Sequence, residues 1–497
     1  MKHILNLLRF TSLTLALCGF SQMAQAHNDH AEIVQVDQTE LSSTTSPAPE
    51  RLGPSSFNLL SKDITIEGGY GKGWFYETPQ NLEEELVNQG FAMLNMFQYA
   101  DGFRSFNTAL KLNPESLVAQ IGRALNALNL DGNNTYYLEE AFNQVVDSAT
   151  RGLLDAKMTA WSNMYLALVS GQDLSGQPID VRQAYVQLKN ADPTNLEVYT
   201  AINWIAGVND LNDYDFVLQT DPNNAGALHY LMHIAESRND HGLALSYGQK
   251  MVPLTPNSAH GQHMLGHVLP HFNRWAEADE QFEIAHKLHM DWAAKNGVTP
   301  DEDWHYGHNL MLLSVTKMVY QPELAINVLQ EIQSLNPGAI IDTLDYLVAT
   351  TDMSEASTVQ NYLTQVEGFS PDYKNYVLSS RLYSELVFNS ADADTVQRVV
   401  AQAAMMPNFK NKNFLQLATA LIIADRAQNI AAKNQAYNRL ISQLDANFSR
   451  GGFDGWQQSV IETLMYKKVF EVYNLQDGLS RIQTEIIDVY MNPNNPK

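Results

Sequence analysis

Two stretches of this chain carry the same residue classes at the same offsets. In LVNQGFAMLNMFQYADGFRSFNTALKLNPES, Gly90 is followed by Tyr99, Phe106 and Ala109; in HMLGHVLPHFNRWAEADEQFEIAHKL, Gly266 is followed by Trp275, Phe282 and Ala285. Small residues at such positions let paired helices approach, the aromatics fill the space between them, and a proline ends the second helix. Prolines punctuate the chain at Pro114, Pro193, Pro222, Pro256 and Pro337, with 34 residues between Pro222 and Pro256. From Leu82 onward the apolar spacing is helical almost without interruption, so an all-α fold is expected.

These spacings resemble the tetratricopeptide repeat family, whose unit is a helix-turn-helix of about that length. The match is good over residues 83–116 and 225–290, and a further unit is expected from His305 to Pro337 with Ala325 in its second helix. MDWAAKNGVTPDEDW, from Met290 to Trp304, reads as an inserted loop. The resemblance implies an α-solenoid of superhelical helix pairs over residues 59–337. Residues 338–497 keep helical periodicity without a clear repeat phase and read as a helical C-terminal region of degenerate repeats.

The first 26 residues have the form of a secretory signal: Lys2 and Arg9, an apolar run from Phe10 to Phe20, and Ala24-Gln25-Ala26 as a cleavage site. Residues 27–58, rich in Ser, Thr, Pro and Gln, read as a flexible leader. A periplasmic or secreted protein is therefore expected. Cys18 is the chain's one cysteine and leaves with the signal, so any metal must be held by His, Asp or Glu. With 55 acidic residues against 31 basic ones, nucleic acid is not an expected partner. No apolar run beyond the signal reaches the roughly 20 residues of a membrane span.

Eleven of the 14 histidines lie between His229 and His308. On a helix advancing about 100° per residue, His260, His263, His267 and His271 fall within about 80° of arc. His229, His233 and Glu236 of GALHYLMHIAES fall within about 60° by the same arithmetic. Adding 34 to His229 gives His263, and adding 34 to His233 gives His267. These helices precede turns at Asn239-Asp240 and Asn273-Arg274, which makes them first helices of their repeats. In the tetratricopeptide family first helices line the concave surface, so the resemblance implies a groove lined by two neighbouring H-x-x-x-H pairs. WHYGHNLMLLS adds His305 and His308, and the broken register leaves open whether they face the same groove. His286, His289 and His241 fall on second helices or turns, outside the expected site.

The expected metal ligands are therefore His229, His233, His263 and His267, joined by His260, His271, His305 and His308. Imidazoles without thiolate suit iron, copper or zinc alike. Glu236 is the first candidate for a carboxylate ligand or proton-transfer group. The rival expectation is a metal-free scaffold whose groove takes a small molecule, a peptide or an envelope protein. A second metal element is conceivable at His27 and His30 if cleavage frees the amine of His27. The blocks H-Y-x-x-H-x-x-E-S, H-x-x-H-x-x-x-H and W-H-x-x-H-N, read here at His229–Ser237, His260–His267 and Trp304–Asn309, also resemble a group of secreted bacterial tetratricopeptide repeat proteins. No G-x-S-x-G, Walker-type loop or H-E-x-x-H occurs, and GGYGKG at residues 68–73 lacks the strand-to-helix setting of a nucleotide loop. Tyr136, Tyr137, Trp161 and Trp204 read as core.

Overall fold

A computed structural model describes residues 57–130, 136–303, 305–335, 374–389, 392, 394–405, 412–450 and 455–496. The expected signal segment, His27 and His30, Trp304 and the expected boundary at residue 337 lie outside the described residues. Among the described residues every regular element is helical, and β-pairing is confined to an isolated bridge between Gln172 and Pro178. No described helix is long and apolar enough to cross a membrane.

The described chain forms two compact units, one of residues 57–264 and 287–303, the other of residues 265–286 and 305–496. In the first unit, α1 (Leu82–Asn95) packs on α2 (Tyr99–Leu112), α2 on α3 (Leu117–Leu130), and α3 on α4 (Tyr136–Thr150). Next, α5 (Ala156–Ser170) pairs with α6 (Val181–Ala191), and a π-helical turn, Val198–Ile202, leads through α7 (Leu211–Thr220) to the pair α8 (Ala225–Ser237) and α9 (His241–Met251). α10 (Ala259–Val268) and α11 (Trp275–Asn296) each contribute residues to both units. The second unit continues with the pairs α12 (Tyr306–Tyr320) with α13 (Pro322–Leu335), and α16 (Lys412–Arg426) with α17 (Ile430–Arg450), the latter preceded by α14 (Lys374–Phe388) and α15 (Thr395–Met405) and followed by α18 (Gly455–Val472).

Local sequence sets the helix ends. The side chains of Asn81, Asp155, Asp180, Asn224 and Asp240 each accept a backbone N–H from the first turn of the helix they precede. Asn239 and Asn273 end helical segments with φ of 58° and 56°, in the left-handed region that asparagine tolerates better than most residues. The expected turns therefore occur where the sequence places them. Helix starts at Ala225 and Ala259, left-handed residues at Asn239 and Asn273, and second-helix starts at His241 and Trp275 keep one spacing of 34 residues.

The matched offsets correspond to one packing device. A Cβ added to Gly90 would stand 2.6 Å from the ring of Phe106, and one added to Gly266 would stand 2.8 Å from the ring of Phe282. Phe106 is clasped from its other edge by Gly122, whose added Cβ would be 2.4 Å away. Ala109, Ala285 and Ala325 are fully buried in second helices, as the spacing predicts.

Two expectations change. Met290–Asn296 is not a loop but the continuation of α11, which ends at Gly297 with φ 66°. Trp292 in this extension donates to Asp101 at 2.8 Å and Asn296 accepts from Arg104 at 2.9 Å, so tertiary partners reward more helix than the repeat length requires. Tyr136, expected in the core, is exposed, whereas Trp161 is buried.

Replacing Gly122 by Val forces the Phe106 ring off its seat between two helices. This is expected to destabilise the protein by about 1–3 kcal/mol, read as a lower urea midpoint, with the helical circular dichroism of the folded state retained.

Candidate metal centre

The first unit draws three histidines to one point. The Nε2 atoms of His229 and His233 are 2.9 Å apart, and those of His229 and His260 are also 2.9 Å apart. One ring nitrogen from each of the three lies within 4.8 Å of the others. His229 and His233 are one turn apart on α8, and His260 comes from the start of α10. Their exposures are 0%, 5% and 1%, so the cluster is enclosed and does not line an open groove.

The tautomer of His229 follows from its partner. Its Nδ1 lies 2.6 Å from the backbone carbonyl oxygen of Asn95, which can only accept, so Nδ1 carries the hydrogen. Its Nε2 then presents a lone pair toward the other two nitrogens. Burial holds the imidazole neutral by lowering its pKa to about 3, with the Asn95 carbonyl opposing the shift. A neutral imidazole whose far N–H is anchored on a carbonyl is the form in which histidine binds transition metals. The donor set fits a nitrogen-ligated ion of the iron, copper or zinc kind.

The Asn95 carbonyl is available because α1 ends there. A helix leaves its last carbonyls without intrahelical donors. The chain then turns sharply: the N–H groups of Phe97 and Gln98 go to Leu94 and Met93 instead, and Phe97 adopts φ 57°. That conformation directs the buried Phe97 ring into the imidazoles. Its centroid is 4.6 Å from His229, 5.5 Å from His233 and 4.9 Å from His260. Trp204 lies 5.5 Å from the His233 ring and stacks on Tyr230 at 5.0 Å. Trp204, expected in the core, is half-buried, packs against the core and forms part of the wall around the histidines.

The other expected residues are placed as follows. The His263 ring is 6.1 Å from that of His260, on the same helix. In the second unit, His267 is fully buried with its ring 5.5 Å from that of His308, and His308 is 5.6 Å from His305. The backbone carbonyl of His267 accepts from the Trp456 indole at 3.0 Å. His271 is half-buried in the short 3-10 turn Leu269–Phe272. Glu236 is buried near the end of α8, one turn beyond His233. Among the histidines set aside, His289 is buried and bonds Asp303 at 3.0 Å.

The repeat arithmetic paired His229 with His263, whereas the residue that meets His229 is His260. Equivalent positions in stacked repeats point in the same direction, while side chains that converge must come from flanks that face each other. His260, three residues before His263, lies about 60° around the helix. Asn95 and Phe97 carried no signal in the sequence, because neither is a metal-ligand type with a recognisable spacing.

No protein-family model matches this chain, and no curated protein matches it.

In the metal-free protein, the unfolded chain binds a proton at residue 229 below about pH 6.5 that the folded chain refuses until about pH 3. Stability is therefore expected to fall as pH is lowered through this window, by up to about 1.4 kcal/mol per unit from this residue. Urea unfolding between pH 7 and 4.5 measures the slope, and ¹⁵N NMR should show His229 as the Nδ1–H tautomer throughout. A His229 that protonates near pH 6.5 contradicts the assignment.

Proposed function

We propose that this is an exported metal-binding protein that holds one transition-metal ion through the Nε2 atoms of His229, His233 and His260. The observation that carries the proposal is the convergence of three buried imidazole nitrogens, one with its tautomer already set by a backbone carbonyl. Without an ion, the single lone pair of His229 faces two nitrogens at 2.9 Å, and it can accept well from only one. An ion makes lone-pair donation the common role of all three.

The helix pairs, their 34-residue spacing and the glycine–phenylalanine seats support the tetratricopeptide-like reading of the array. The export reading rests on the N-terminal sequence. Three protein ligands leave room for an exogenous fourth, the condition under which an ion supplies Lewis-acid or redox chemistry. Glu236, buried one turn beyond His233, is then the candidate proton acceptor for such a ligand.

Zinc added to the metal-free protein at about 100 times the dissociation constant is expected to stabilise it by about 2.7 kcal/mol. His233→Ala and His260→Ala should each abolish that shift and lower the bound metal below one ion per chain by elemental analysis. Retention of full metal content by both variants overturns the ligand assignment. A wild-type protein with neither bound metal nor a thermal shift overturns the metal reading and favours the metal-free scaffold that binds a peptide or envelope protein.

A further inference from the structure

The nitrogens of the proposed centre come from three imidazoles, His229, His233 and His260. A buried carboxyl group is connected to it through Asn95. Glu197 is 1% exposed and stands just before the π-helical turn that packs on both α1 and α8. Its Oε2 accepts from the Asn95 side-chain amide at 2.9 Å and lies 3.2 Å from the Thr200 hydroxyl, whose one hydrogen is shared with the Leu196 carbonyl at 2.9 Å. Its Oε1 accepts from the backbone N–H of Trp74 at 2.7 Å. Burial pushes the Glu197 carboxyl above its usual range, and the hydrogen bonds to it, that from Trp74 first, act against that rise.

Asn95 is thus held at every polar group that bears on the centre. Its carbonyl accepts from His229, its Oδ1 accepts from the Tyr230 hydroxyl at 3.1 Å, and its Nδ2 donates to Glu197. The surrounding backbone is shaped to permit this. A Cβ on Gly226 would come within 2.8 Å of the Asn95 side chain, so only a glycine lets α8 approach the end of α1 here. The segment that delivers the Trp74 N–H is the glycine-rich GGYGKG. At Gly71 its φ is 84°, and an added Cβ would stand 2.7 Å from Ala225, the first residue of α8. The loop that lacked a nucleotide-binding context runs against the start of the histidine helix and ends on Glu197.

We propose that Glu197 is a positioning residue of the metal centre: through the Asn95 side chain it fixes the carbonyl that anchors His229. The inference rests on the metal reading above. Outer partners of this kind both orient the imidazole and raise its basicity, and their loss typically weakens metal binding about 10–100-fold.

The test uses full-length protein, with zinc affinity measured by competition with a chromophoric chelator and the visible spectrum of the cobalt-substituted protein recorded beside it. Glu197→Gln keeps the volume but turns an amide toward the Asn95 amide. It is expected to weaken zinc binding by about 10–100-fold and to shift the cobalt absorption bands. A purely structural role would lower the melting temperature of the metal-free protein and leave affinity and spectrum unchanged, and that result overturns the proposal. If Glu197→Gln does not fold, Tyr230→Phe decides: removing one of the two bonds on the Asn95 amide should weaken zinc binding by about 2–10-fold, and an unchanged affinity overturns the proposal. Wild-type protein that binds no zinc overturns the parent reading together with this one, whereas wild-type binding with unaffected variants overturns this one alone.

Discussion

The hydrogen bond from His229 Nδ1 to the Asn95 carbonyl is the contact on which the centre depends. It joins residues 134 positions apart, and it exists because α1 stops at Asn95 and leaves that carbonyl without a helical donor. The negative end of the α1 dipole therefore faces the imidazole whose other nitrogen points into the cluster. Were α1 one turn longer, the carbonyl would be consumed within the helix and His229 would be free to take the opposite tautomer.

Phe97 is what stops the helix. A bulky residue in the left-handed region costs about 1–2 kcal/mol, and Phe97 holds φ 57° while almost fully buried. The offset is visible in its surroundings: three imidazoles, Tyr99 at 5.4 Å and Trp204 at 6.2 Å pack around its ring. Glycine at this position would relieve the strain and lose the wall. The same ring excludes water from the imidazoles, and a low local dielectric strengthens the anchoring bond while raising the cost of an uncompensated ion.

The helical class, the 34-residue spacing and the packing of Gly90 on Phe106 and Gly266 on Phe282 were all legible, because each is a local pattern of period, size and turn chemistry. The histidine richness of α8 and α10 was legible for the same reason. Which imidazoles meet was not: the repeat offset identifies equivalent residues, such as His229 and His263, whereas contact depends on which flanks face, and that selects His260. The extension of α11 past Met290 was hidden because it answers to Asp101 and Arg104, nearly 200 residues away. Asn95, Phe97 and Glu197 were hidden for a similar reason: their roles arise from where a helix ends and what packs against that end.

In an open array each repeat touches its neighbours alone, and stability is a sum of nearest-neighbour terms. The packing of α1 on α8 departs from that arrangement, since α2 to α7 and a π-helical turn lie between them in the chain. The consequence is thermodynamic. Ligands from α8 and α10 belong to adjacent helix pairs and would come together in any stacked array, but the anchored tautomer requires α1 to have docked as well. An ion bound by all three nitrogens would therefore favour the state in which α1 is docked, and its binding free energy would count toward the folding of α1 against the histidine helices. Such an ion would clasp the first unit together as much as occupy a site within it.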